Sequence, residues 1–146
     1  MRQILLAMTL LLAACSQENF DDLTLPELSE GSRPIVAALS YASWCPSCRT
    51  LDPRIEAVRE RRAFENITFV TLDYTKKDQG AFFSEAETQG VGQAIRDHFA
   101  DGIYTGRLFL IDPDTQMTIA TVDSTMGPEA IYEALIKATY DESIAG

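Results

Sequence analysis

A junction limits this chain more than any other feature. Residues 34–42, PIVAALSYA, form a mostly apolar run with β-branched members and polar borders, so they predict a buried strand. Four residues later, from position 46 to about position 62, the apolar positions Cys48, Leu51, Ile55 and Val58 recur at intervals of three and four. That spacing puts them on one face of an amphipathic helix, and Pro53 inside it predicts a kink. A strand that feeds directly into a helix points to layered α/β architecture. Two of the three cysteines, Cys45 and Cys48, stand at the turn between them.

The later segments extend this pattern. NITFVTLD, residues 66–73, reads as a second strand, and RLFLID and MTIATVD as two more. The PDTQ between the last two is a turn, short enough to require antiparallel neighbours. Val91, Ile95, His98 and Phe99 share a helical face, and GPEAIYEALIKATY is a closing helix with Pro128 in its first turn. Residues 74–90 are polar and glycine-containing, with Phe82 and Phe83 side by side and a capping box expected at SEAE, residues 84–87. Strands separated by helices imply parallel crossovers, and the final hairpin adds an antiparallel edge. The expected fold is a mixed central sheet covered by helices on both faces.

The chain's start belongs to none of these elements. Arg2 precedes an uncharged apolar run of eleven residues, 4–14, too short to span a bilayer, which needs about 20 residues, but suited to a secretory signal. The LAAC that follows resembles the lipobox of bacterial lipoproteins. The resemblance implies cleavage after residue 14 and a lipid on Cys15, and Ser16 leans the sorting towards the outer membrane. Residues 15–33 hold five acidic side chains, Pro26 and Gly31, and read as a tether with one short helical turn around residues 23–28. The folded domain is then 34–146, periplasmic and membrane-anchored. With 22 acidic against 12 basic residues and a net charge of −10, no basic face is available for nucleic acid.

With Cys15 lipidated, Cys45 and Cys48 remain as an even pair in a compartment where disulfides persist. A structural disulfide across two residues would constrain the unfolded chain very little. Structural zinc needs four ligands, and the chain has one histidine and no further mature cysteine. Copper held by Cys45, Cys48 and His98 is chemically reasonable and stands as an alternative, as does a redox-inert adaptor. A thiol–disulfide switch accounts for more features together. First-turn N–H groups and the helix dipole favour a thiolate at Cys45, and Cys48, one turn deeper, can resolve a mixed disulfide.

WCPSC, Pro53 eight residues after Cys45, and the strand–helix order together resemble the thioredoxin family. In its exported form that is a thiol:disulfide interchange lipoprotein. The resemblance implies that Cys45 is an exposed nucleophile, Cys48 the resolving thiol, and Trp44 part of the surface around them. Pro46 suits the first helical turn, and Ser47 leaves donors near the sulfur. It also implies protein thiol and disulfide substrates in the cell envelope, an upstream membrane or periplasmic redox partner, and no cofactor or metal. Two positions depart from the pattern. The family's cis-proline opposite the cysteines aligns with Gly106, preceded by Thr105. The family's buried acid, six residues before the first cysteine, is Leu39 here, with Ser40 next to it. A cis bond at a non-proline residue costs about 2.5–4 kcal/mol, so a trans Gly106 and a looser substrate edge are expected. The stretch 74–90 is longer than a minimal thioredoxin needs and is placed to influence partner choice.

Overall fold

The computed structural model describes residues 18–140. Cys15, Ser16 and the apolar leader lie outside them. No helix among the described residues is long and apolar enough to cross a membrane. Four strands, β1 (Ile35–Tyr41), β2 (Ile67–Asp73), β3 (Arg107–Asp112) and β4 (Met117–Asp123), form one sheet in the order β2-β1-β3-β4. Four helices accompany them: α1 (Pro46–Arg61), α2 (Gln79–Thr88), α3 (Gly92–His98) and α4 (Pro128–Ala138).

Central strand β1 shows why its sequence is apolar from Ile35 to Leu39. Ile35, Ala37 and Leu39 face α1 and α4, packing with Leu51, Ile55, Val58, Ile131 and Leu135. Val36 and Ala38 face α2 and α3, packing with Phe82, Val91, Ile95, Phe99 and Phe109. With both faces covered, Ile35 to Leu39 show no polar alternation. Fully burying each of these large side chains contributes about 1.5–3 kcal/mol.

The topology departs from expectation at β3. It runs antiparallel to β1, pairing Ser40 with Arg107 and Val36 with Ile111, whereas β1 and β2 are parallel. Two helices separate β2 from β3, and an even number of passes returns the chain to the end of the sheet it left. The same segment overturns the expected capping box. Helix α2 starts earlier, where the Asp78 carboxylate accepts from Ala81 N–H at 3.0 Å, so Ser84 and Glu87 lie inside the helix. Helix α1 runs through Pro53 without ending.

No helical turn forms at residues 23–28. From Leu28 onward this stretch is fastened to the body. The Glu30 carboxylate accepts from Glu65 and Asn66 N–H at 3.1 and 2.8 Å, and Tyr132 Oη donates to the Leu28 carbonyl at 3.1 Å. Gly31 lies so close to α4's end that a Cβ there would sit 2.3 Å from the Thr139 carbonyl oxygen.

Candidate active site

Cys45 is the N-cap of α1, with extended backbone (φ −86°, ψ 118°) and its sulfur accepting from Cys48 N–H at 3.2 Å. A sulfur thus takes the place that a serine or aspartate oxygen usually fills, and meets the positive end of the helix. Pro46 at the first helical position removes one N–H that would otherwise lack a partner. The Ser47 hydroxyl lies 3.8 Å from Cys45 Sγ. Both thiols are free.

The two sulfurs are driven apart in acidity. Burial opposes ionisation of Cys45, but hydrogen bonds from the Cys48 thiol, Thr105, the Cys48 N–H and Ser47 outweigh it and hold Cys45 below its ordinary value. Cys48 is pushed up to about 11, by burial first, then by its hydrogen bond to Cys45 and by the Cys45 charge. The arrangement sets a sulfur that ionises more readily than an ordinary thiol over one that holds its proton.

Cys45 is less open than expected, with 3% of its surface exposed. As the N-cap it folds back on the first turn of α1, and the loop ahead of β3 lies against it. A Cβ on Gly106 would meet Ser47 Cβ at 2.7 Å, Ser47 Oγ at 2.8 Å and Cys45 Sγ at 3.3 Å. Gly106 also has φ +90°, where other residues are strained, so both conformation and space select glycine. No peptide bond among the described residues is cis, as expected at Gly106. Hydrogen bonding by the side chain of Thr105, just before it, favours ionisation of both sulfurs.

Leu39 is buried in the core, paired across the sheet with Leu108, and no carboxylate contributes to the Cys48 shift. The group beside it was not singled out from the sequence. The fully buried Ser40 offers its carbonyl oxygen to Gly106 N–H at 2.7 Å and to the Cys48 thiol at 3.8 Å. Its hydroxyl donates to the Arg107 carbonyl at 3.1 Å and so seals the end of the β1–β3 ladder. A small polar residue closing an otherwise apolar strand was the available signal.

Trp44 is 48% exposed, and its Nε1–H donates to the Thr75 carbonyl at 3.1 Å, while Lys77 Nζ stands 5.4 Å from its ring centroid. The stretch after β2 therefore reaches Trp44, the residue before Cys45. His98 does not join them. Its Nε2 is hydrogen-bonded to Tyr104 Oη and its ring packs 4.2 Å from that of Phe109. Among the described residues no three His, Cys, Asp or Glu side chains gather to hold a metal ion, so the copper set of Cys45, Cys48 and His98 is not assembled.

The thioredoxin family profile matches residues 12–90, more than half of the chain. The chain belongs to the thioredoxin family. The match ends before Thr105 and Gly106, the segment where this thioredoxin-family chain departs from the usual pattern. No curated protein matches it. Among solved structures, StoA from Bacillus subtilis is similar at 17% identity and a TM-score of 0.45, covering 72% of this chain and 83% of that one. Within the family, the CxxC pair of this chain is consistent with thiol–disulfide oxidoreductase chemistry.

Proposed function

We propose that this chain is a thiol–disulfide oxidoreductase of the cell envelope, with Cys45 as catalytic nucleophile and Cys48 as resolving thiol. The observation that carries the reading is the Cys45 sulfur at the N-cap of α1, accepting from Cys48 N–H at 3.2 Å. In the reducing direction the Cys45 thiolate attacks a partner disulfide, one sulfur of the partner leaves as thiolate, and a mixed disulfide forms. Two of the influences that hold Cys48 protonated, its hydrogen bond to Cys45 and the Cys45 charge, disappear at that moment. Cys48 then ionises more readily, attacks Cys45 and expels the second partner thiolate. Two electrons have passed to the partner, and Cys45–Cys48 is a disulfide. The reverse sequence oxidises a partner dithiol, and neither direction needs an organic cofactor.

The partner fits as an extended segment. The backbone N–H and C=O of Thr105 have no hydrogen-bond partner among the described residues, next to the reactive sulfur. The proposal includes lipidation of Cys15, an outer-membrane anchor and an upstream redox partner in the envelope, resting on LAAC and Ser16.

A dithiol-driven disulfide-reduction assay tests the chemistry. Turnover is expected to be lost in Cys45→Ser, and Cys48→Ser is expected to trap mixed disulfides with partners. Turnover retained without Cys45, or no trapped species, would overturn the reading. Palmitate labelling in a bacterial host, lost in Cys15→Ser, tests the anchor.

A further inference from the structure

A glycine at φ +90° lets the loop fit against Cys45 but adds no stiffness to it. The neighbours of Thr105 show what holds it in place. On one side, Gly106 N–H is tied to the Ser40 carbonyl. On the other, Tyr104 Oη is hydrogen-bonded to Nε2 of His98, the chain's one histidine, at the end of α3. The Tyr104 ring lies 4.9 Å from that of Phe99 and 6.5 Å from that of Phe109, both of them buried. The His98 ring is 5.5 Å from Phe99 and 4.2 Å from Phe109. Tyr104 itself is 43% exposed, so ring packing alone leaves its outer end unrestrained, and the bond to His98 pins that end.

We propose that His98 is a positioning residue for Cys45: through Tyr104 it fixes the loop at 103–106 in its place against the Cys45 sulfur. The inference rests on the thiol–disulfide reading of Cys45 and Cys48. The charged and titratable groups facing His98 are few. Tyr104 and Arg107 approach from the loop and β3, with the Arg107 guanidinium 5.8 Å above the Tyr104 ring. On α3 itself, Arg96 is engaged by Glu87 and Asp97 by Gln93. Burial first, then Arg107, lowers the His98 pKa, so the ring is neutral at neutral pH.

The test is the rate of Cys45 alkylation by iodoacetamide against pH in the full, reduced chain. Thr105→Val is expected to move the inflection upward by removing a donor. His98→Phe and Tyr104→Phe are expected to move it the same way, slowing alkylation at neutral pH about three- to tenfold, which is half to one pH unit. His98→Gln, which retains donor and acceptor atoms, is expected to recover most of the rate. The Thr105→Val/His98→Phe pair is expected to shift no further than either alone. Tyr104→Phe removes one oxygen from an exposed ring, so it decides the matter if His98→Phe does not fold. A shift in Thr105→Val with none in Tyr104→Phe overturns the proposal and leaves the redox reading intact. An unmodified chain whose Cys45 titrates like free cysteine overturns both.

Discussion

The sheet face under α1 and α4 is mainly aliphatic, with Leu51, Ile55, Val58, Ile131 and Leu135 around the single buried ring of Tyr132. The face under α2 and α3 is centred on rings, with Phe82 5.5 Å from Phe99 and Phe99 5.4 Å from Phe109. The aliphatic side delivers the sulfurs, because α1 begins at Cys45. The aromatic side delivers the loop that meets them, because Phe99 and His98 lead into Tyr104, Thr105 and Gly106. Aliphatic packing is nearly direction-free, whereas rings meet edge to face and can carry a polar atom out to the surface. The site is a seam between a side that supplies chemistry and a side that supplies orientation.

The most severe way to break this contrast is to empty one position on each face. Phe99→Ala is expected to cost about 3–5 kcal/mol of stability and to raise the Cys45 titration, while Leu135→Ala costs about 2–5 kcal/mol and leaves that titration in place. Denaturant unfolding and alkylation profiles check both, and an equal effect on Cys45 would dissolve the division.

Next in size is the seam itself. Gly106→Ala adds a clash with Ser47 to the strain of a positive φ, and is expected to cost about 1–3 kcal/mol. Gly90→Ala, at φ +74° with nothing within 4 Å, isolates the strain alone and is expected to cost less. Equal losses would show that Gly106 is not tightly packed.

A titration sharpens the sulfur side. Cys45→Ser removes two influences that raise Cys48, so the Cys48 inflection is expected to fall from about 11 while staying above the ordinary thiol value through burial. Thiolate absorbance against pH reads this, and an unmoved inflection would uncouple the pair. The smallest expected effect lies far from the seam. Glu18→Gln breaks a 2.6 Å ion pair with Arg54 in which Glu18 is half exposed, and is expected to change stability by no more than about 1 kcal/mol.

The aliphatic side was legible in the sequence because its signal is periodic. Helix α1, strand β1 and the two cysteines at their junction follow from three- and four-residue spacing and one apolar run. The alignment that set Thr105 and Gly106 opposite the cysteines also agrees with the geometry. The aromatic side was less legible. Helix α2 is mixed in polarity, and its start depends on a single Asp78 cap, so no periodic signal marks where it begins. The direction of β3 depends on whether one helix or two intervene, so that uncertainty passed into the topology. Ser40 and His98 act through a carbonyl and a ring nitrogen whose partners, Gly106 and Tyr104, lie 66 and 6 residues away, and no local pattern announces such pairings.

The Ser40 carbonyl has a last consequence. In the dithiol form it faces two donors, the Gly106 amide and the Cys48 thiol. Oxidation withdraws the thiol proton altogether, yet the Gly106 amide is a donor that this chemistry does not consume. Loss of the thiol proton therefore does not by itself strand the Ser40 carbonyl, so this oxygen gives the scaffold no hydrogen-bonding reason to resist oxidation.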